Sequence, residues 1–187
     1  MNNLIAFINN TIALEKNTIE TLTNLCVEKA YQRGDFLQKP NGYCNHLFCI
    51  NSGLVKLSFD TGNNEFVMRF FQEDVLFTEL ESLTENIPSK YQIIALETVH
   101  CTLLPYREFE KLSAKNTRLA LFFSKFLTRA HVNMMNRISE MLEANAHIRY
   151  TNFLKHHPDI INRISLGDLS RYLGINQVTL SRIRSKK

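Results

Sequence analysis

The side chains best suited to chemistry lie near the C-terminus, where polar and basic residues alternate with leucine and isoleucine. Within residues 166–187, Leu169 and Leu173 are four residues apart and therefore share one face of a helix. Gly174 follows directly, at the position where a tight turn between two helices favours a positive φ. This spacing predicts a helix-turn-helix.

The second helix of the predicted pair has an apolar face with Leu180 and Ile183. Its opposite face carries amide, hydroxyl and guanidinium groups, which reach base edges and phosphates in complexes with DNA. The candidate DNA-binding residues are Asn176, Gln177, Thr179, Ser181, Arg182, Arg184 and Lys186. The competing interpretation is an amphipathic hairpin whose basic face is merely solvated.

The charge distribution favours DNA over that alternative. The chain of 187 residues has 22 lysines and arginines and 18 acids, a net charge of +4. From Arg163 onward there are six basic residues and one acid, Asp168, so the first 162 residues are close to neutral. A basic end on a neutral body is typical of phosphate binding, and double-stranded DNA is the expected partner.

The body that positions this motif changes character near residue 31. Residues up to about 30 have helical spacing, and Thr18 is the expected N-cap of their second helix. From about 31 to 104, short apolar segments alternate with turn residues, which predicts a small β-barrel or jelly roll. The turn signals are Gly34, Pro40-Asn41-Gly42, Ser52-Gly53 and residues 60–64.

After Pro105 the sequence is compatible with a helix as far as Glu143 and contains no glycine or proline. A helix of that length cannot bury its apolar stripe against one small barrel, so the same helix of a second subunit is its expected partner. The predicted dimerisation residues are Leu119, Phe123, Phe126, Ala130, Met134, Ile138 and Met141. The alternative is ordinary core packing within one chain.

Two shorter signals complete the organisation. Residues 148–158 predict a short helix that ends near Pro158. Ser165 precedes Asp168 by three residues, an arrangement that favours a helix start at this point. We therefore expect a sensing domain over 1–106, a dimerisation helix over 107–145 and a DNA-binding domain over 146–187.

A barrel, a long helix and a helix-turn-helix, in this order, resemble the Crp/Fnr family of bacterial transcription regulators. The segments that carry the resemblance are Gly34-Asp35-Phe36-Leu37, residues 47–57, Ile94-Ala95-Leu96-Glu97, Arg149-Tyr150 and residues 172–184. The resemblance implies an α+β chain with an N-terminal double-stranded β-helix, a jelly roll like that of cyclic-nucleotide-binding domains. It also implies a dimerisation helix and a C-terminal helix-turn-helix in which Gln177, Thr179 and Arg182 face the DNA.

The resemblance also sets an expectation for the wing. Family members often continue from the recognition helix into a β-wing, whereas this sequence ends at Lys187, so a truncated wing is expected. DNA affinity would then depend more on Arg184, Lys186 and Lys187.

The effector site departs from the pattern of cyclic-nucleotide-binding members, which place a Gly-Glu pair before an arginine that neutralises the cyclic phosphate. Here Glu79 follows Thr78, and Ser89 occupies the position of the arginine. Lys90 is adjacent, but strand alternation points it away from Ser89. The candidate pocket residues are Glu79, Ser89, Lys90 and Tyr91. We expect a remodelled pocket with no cofactor, an unidentified small-molecule effector, and no tight binding of cyclic AMP.

The four cysteines, Cys26, Cys44, Cys49 and Cys101, form no CxxC pattern and are expected to be reduced and buried. A soft-metal or redox site built from Cys44, His46, Cys49 and the pair His100-Cys101 is the alternative. We expect no metal site.

Other functional classes find little support. No run of residues is long enough to cross a membrane, and the N-terminus lacks the features of a signal peptide, so a cytoplasmic protein without membrane contacts is expected. A cupin-like enzyme needs a cluster of histidine ligands, but the barrel segment contains only His46 and His100.

We expect a non-enzymatic, homodimeric transcription regulator, with RNA polymerase as a further candidate partner. The alternative is a small-molecule-binding barrel whose basic tail mediates protein contacts; the effector, the operator and the direction of control stay open.

Overall fold

The computed structural model describes residues 3–62 and 64–185 and has an α+β architecture. The described helices are α1 (Asn3–Thr11), α2 (Lys16–Leu25), α3 (Leu80–Glu85), α4 (Tyr106–Ser113), α5 (Thr117–Glu143), α6 (Ala146–His156), α7 (Leu166–Leu173) and α8 (Gln177–Ser185). The described strands are β1 (Val27–Tyr31), β2 (Phe36–Gln38), β3 (His46–Ser52), β4 (Val55–Asp60), β5 (Glu65–Phe71), β6 (Leu76–Phe77), β7 (Gln92–Ala95) and β8 (Val99–Pro105).

The strands form two four-stranded antiparallel sheets, in the orders β1-β8-β3-β6 and β2-β7-β4-β5. Leu47, Ile50, Val55 and Ile93 come from both sheets and are fully buried in one core. The predicted barrel is therefore present as an eight-stranded β-roll. The C-terminal helices pack on the outer surface of the β-roll, next to β4 and β5. The interior of the β-roll is open on the side that faces α5.

The N-terminal prediction was wrong at two points. The segment Val27–Tyr31, expected to be the end of a helix, is β1, which pairs with β8 at the edge of a sheet. Four of its five residues are exposed, so it lacks the alternation that marks a half-buried strand. Thr18 does not cap α2, which begins at Lys16; its hydroxyl accepts a hydrogen bond from the Asn116 amide instead.

The single helix predicted after Pro105 is two helices. Asn116 interrupts it because its side-chain oxygen accepts hydrogen bonds from the backbone N–H groups of Arg118 and Leu119, which makes it the N-cap of α5. Leu119 is fully buried in the core of its own chain. Leu119 therefore has no surface to offer a second subunit, which corrects its assignment as a dimerisation residue.

The C-terminal helices α6, α7 and α8 share a second, smaller core. Phe153, Leu169, Leu173 and Leu180 are buried in it, together with Leu54 from the β-roll. The predicted short helix before Pro158 is confirmed as α6. Within the described residues, no helix has the combination of length and apolar character that crossing a bilayer requires.

Candidate nucleic-acid interface and effector pocket

The C-terminal helix pair has the local geometry that its spacing predicts. The Ser165 hydroxyl accepts a hydrogen bond from the Asp168 N–H at 2.9 Å and caps α7. Gly174 ends α7 in the left-handed conformation, with φ of 64°. The Asn176 side chain accepts a hydrogen bond from the Thr179 N–H at 2.8 Å. Its oxygen therefore caps the start of α8, a role that sequence analysis did not assign to this candidate DNA contact.

The face of α8 opposite Leu180 is open to solvent. Gln177, Ser181, Arg182 and Arg184 are exposed, and Thr179 is half-buried. The guanidinium groups of Arg182 and Arg184 have no hydrogen bond or ion pair with any residue in the described part of the chain. The predicted contacts Lys186 and Lys187 lie outside the described residues. Val178, which sequence analysis missed, adds an apolar side chain that is 60% exposed.

Two of the six basic residues near the C-terminus are already paired with acids. Arg163 donates hydrogen bonds to Glu73 and Glu97, which lie on the loops after β5 and β7. Arg171 lies 3.5 Å from Glu65 and 3.6 Å from Asp168. These arginines hold the helix pair on the β-roll. Of the basic residues from Arg163 to residue 185, the two without an acid partner, Arg182 and Arg184, are both on α8.

A buried ion pair and an aromatic cluster attach α7 to the β-roll. Lys56 Nζ on β4 donates a hydrogen bond to Asp168 on α7. Phe70 on β5 packs against Tyr172 on α7 and Phe153 on α6, with ring centroids 5.4 and 6.2 Å apart. With α7 attached to the β-roll in this way, the face of α8 opposite Leu180 stays exposed to solvent.

The predicted effector residues come together only in part. Glu79 is buried, and its carboxylate accepts hydrogen bonds from the N–H groups of Glu81 and Ser82, each at 3.1 Å, which caps α3. Ser89 is buried, and its hydroxyl accepts a hydrogen bond from the Tyr91 N–H at 3.0 Å. Lys90 is exposed whereas Ser89 is buried, but both precede β7, so strand alternation is not what separates them.

A cavity of about 770 Å³ lies between the β-roll interior and α5. Glu79 and Tyr91 line it, whereas Ser89 and Lys90 do not. It also contains Arg69 from β5, which sequence analysis missed. The available signal was an arginine inside the apolar run Phe66–Phe71, on a strand expected to be half-buried.

The predicted dimerisation residues divide into two groups along α5. Phe123 stacks on Phe126 of the same chain, with centroids 5.9 Å apart, and Phe126, Ala130 and Met134 line the cavity. Ile138 and Met141 are exposed. Four further apolar residues on α5 are exposed and were not predicted: Leu121, Val132, Met135 and Leu142.

The cysteines are free thiols. Burial raises the pKa of Cys49 and of Cys101 to about 12, so both stay protonated at neutral pH. The Cys44 thiol lies 3.3 Å from the Thr78 hydroxyl. Within residues 3–62 and 64–185, no three histidine, cysteine or acidic side chains converge as metal ligands.

Comparison with known proteins agrees with this architecture. Residues 28–116 match the family model of the cyclic nucleotide-binding domain. No curated protein matches the chain significantly. The chain has the fold of Crp/Fnr regulators.

Three solved structures illustrate the similarity. FixK2 from Bradyrhizobium japonicum matches with a TM-score of 0.77 and 15% identity, over 86% of this chain and 83% of that one. CLP, a c-di-GMP-responsive global regulator from Xanthomonas campestris, matches with a TM-score of 0.74 and 15% identity, over 92% and 91%. A protein from Eubacterium rectale assigned to the Crp/Fnr family matches with a TM-score of 0.75 and 13% identity, over 92% and 83%.

Proposed function

We propose that this protein is a non-enzymatic, cytoplasmic transcription regulator that binds double-stranded DNA through α8. The main support is that Arg182 and Arg184 project from a capped helix without an acid partner among the described residues. The fold supports the same proposal, because the similar structures include a global regulator linked to gene expression and a protein assigned to the Crp/Fnr regulators.

In the proposed complex, α8 enters the major groove. Gln177, Thr179 and Arg182 would contact base edges, and Val178 would meet a thymine methyl group. Ser181, Arg184 and Lys186 would contact phosphates, which position the helix without reading sequence. The α7 helix would stay attached to the β-roll and carry α8 as a rigid support.

The proposal includes a homodimer joined along α5. Leu121, Met135, Ile138 and Leu142 are exposed, and their separations of fourteen, three and four residues place them on one stripe of the helix. Exposed apolar side chains at heptad spacing are typical of a coiled-coil seam. A two-fold dimer would present two copies of α8 to successive major grooves of a pseudo-palindromic site.

The test combines site selection with salt titration. Double-stranded DNA of random sequence would be incubated with the full chain, and the bound fraction amplified and sequenced. We expect a pseudo-palindromic consensus, whose affinity falls steeply as salt rises because phosphate contacts release counterions. Failure to enrich any sequence at low salt would contradict the proposal and favour a tail that mediates protein contacts.

A further inference from the structure

The cavity between the β-roll and α5 contains an arginine without an anion. Arg69 lies opposite Leu57 in the pairing of β4 with β5, so the two side chains share a face of the sheet. Arg69 is half-buried, and its guanidinium forms no ion pair or hydrogen bond with any described residue. Its guanidinium carbon lies 5.6 Å from the centroid of the Phe71 ring. A partly desolvated guanidinium without an acceptor is costly, and its planar donors match a carboxylate.

Arg69 has a second arginine among its charged neighbours and forms no ion pair with an acid in the described residues. Burial and the charge of Arg137 lower its pKa, against an opposing effect of Tyr172. Burial lowers the pKa of His157, and the charges of His156, Arg69 and Arg137 lower it further against an opposing effect of Glu140, so His157 is mainly neutral at pH 7. Arg137 is itself paired with Glu140 at 3.0 Å, so that acid already has a cation. A neutral His157 and a paired Arg137 leave Arg69 as the cation at this end that lacks an acid partner among the described residues, although Asp159 also lines the cavity.

The rest of the cavity is largely aromatic and aliphatic. Phe71 and Phe77 stack with ring centroids 4.1 Å apart, and Leu57, Tyr91 and Phe126 line the same space. The N–H groups of Glu81 and Ser82 at the start of α3 are occupied by the Glu79 carboxylate. A phosphate placed at α3 would meet that carboxylate. Lys125 and Arg129 also line the cavity but are exposed, so the half-buried cation available to an anionic ligand is Arg69.

We propose that this cavity binds an amphipathic carboxylate, with the carboxylate on Arg69 and its hydrocarbon or aromatic body among Phe71, Phe77 and Phe126. The inference rests on the proposed function as a regulator and on the sensing role that the sequence analysis expects of the β-roll, and it names the ligand class. A carboxylate forms two parallel hydrogen bonds with a guanidinium, and an apolar body fits the lining better than a ribose does. Because Phe126 is on α5, a bound ligand would touch the helix that joins the proposed dimer.

The experiment is calorimetric titration of the full chain with sodium octanoate and with phenylacetate, with 1-octanol as the uncharged counterpart. We expect at least one carboxylate to bind wild type and octanol to bind at least about tenfold more weakly than octanoate. Arg69→Gln should weaken carboxylate binding by about ten- to hundredfold, and Arg69→Lys should fall between. Arg33→Gln is the matched control, because Arg33 is exposed and lies outside the cavity.

Arg69→Gln removes no hydrogen bond or ion pair of the described residues and loses only the contact with the Phe71 ring, so its melting temperature should stay close to that of wild type. If the variant does not fold, the comparison of octanoate with octanol on wild type decides the question. The proposal is overturned if neither carboxylate binds, if Arg69→Gln binds as tightly as wild type, or if cyclic AMP displaces the carboxylate at micromolar concentration. DNA is absent from these titrations, so their outcome is independent of whether α8 binds an operator.

Discussion

The Nζ atom of Lys56 lies 2.7 Å from Oδ1 of Asp168, which joins β4 of the β-roll to α7 of the C-terminal helices. Glu65 Oε1 also lies 2.7 Å from this ammonium, but out of line for a hydrogen bond. Burial raises the pKa of Asp168, but the hydrogen bonds from Lys56 and Ser165 and the charges of Lys56 and Arg171 outweigh it, so the pKa is lowered. The side chains are only 9% and 12% exposed, so water screens this pair weakly.

Lys56→Met should destabilise the protein by about 3–5 kcal/mol, because the buried carboxylates of Glu65 and Asp168 would keep only Arg171, whose side chain is 42% exposed. The measurement is the free energy of unfolding in urea. Lys111→Met is the matched control, since Lys111 pairs with Glu108 at the same distance but is 69% exposed. The control should change stability by less than about 1 kcal/mol. Equal effects of the two substitutions would contradict an energetic role for the buried pair.

The pair of Glu73 with Arg163 predicts an acid-sensitive attachment of the C-terminal helices. Hydrogen bonding to Arg163 lowers the pKa of Glu73 from 4.5 to about 2, although burial opposes it. The folded protein therefore holds this carboxylate charged more strongly than the unfolded chain does. Its stabilisation is complete above pH of about 4.5 and is lost as the pH falls toward about 2.

The prediction is tested by following the melting temperature of wild type and Glu73→Gln from about pH 6 to about pH 3. The difference in melting temperature should shrink as the pH falls. Protonation then removes the negative charge of Glu73 from wild type, whereas Glu73→Gln lacks that charge at every pH. Glu108→Gln, at an exposed pair, is the control and should run parallel to wild type. A constant difference between wild type and Glu73→Gln would show that the pKa of Glu73 is not shifted.

The turn between β3 and β4 requires glycine at residue 53 for two separate reasons. Gly53 has φ of +98°, and a Cβ there would lie 2.5 Å from the Thr98 carbonyl oxygen. Gly34 has φ of +91° but has no atom within 4 Å of the same position. Gly34→Ala should therefore cost about 1–2 kcal/mol from backbone strain alone, whereas Gly53→Ala should cost about 3 kcal/mol or more. Denaturant titration of both variants separates the clash from the strain.

Sequence periodicity recovered the elements whose apolar pattern is local. The strands from β3 to β5 and the α7–α8 pair have such patterns, and their places were predicted. The break before α5 depends on a side-chain cap at Asn116, and β1 is stabilised by pairing with β8 far along the chain. The proposed role of Arg69 depends on whether an acidic side chain lies close enough to pair with it. Residue spacing does not predict such contacts between distant parts of the chain. Ser89 was chosen as a pocket residue because it occupies the position of the family's arginine, and Lys90 because it is adjacent, but the structure leaves both outside the cavity.

The proposed dimer is best tested at Met135, because Phe126 packs partly within its own chain. Met135 is 49% exposed on the stripe of α5 that contains Leu121 and Ile138. Met135→Glu would place an unpaired carboxylate in the seam and should weaken dimerisation by at least about tenfold. Sedimentation equilibrium measures this. Val27→Glu, on exposed β1, is the control and should leave the dimer intact; a monomeric wild type at micromolar concentration would exclude the seam.

The DNA-binding proposal makes its sharpest prediction at Arg182. An arginine in the middle of a recognition helix donates two hydrogen bonds to O6 and N7 of a guanine. Arg182→Ala should therefore cost about 1–3 kcal/mol on a selected site and relax selectivity at one base pair in each half-site. Arg33→Ala, at an exposed arginine on the turn between β1 and β2, should leave DNA binding unchanged.

Residues that bind phosphate should respond differently from residues that bind bases in the same bandshift titrations. Lys186→Ala should weaken specific and random DNA alike and make the salt slope shallower by about 1, because the variant neutralises one phosphate fewer. A footprint should show half-sites centred about 10 base pairs apart, because a two-fold dimer must present both copies of α8 on one face of the duplex. If Arg182→Ala bound a selected site as tightly as wild type, α8 would not be the element that reads the sequence, even if the protein still bound DNA.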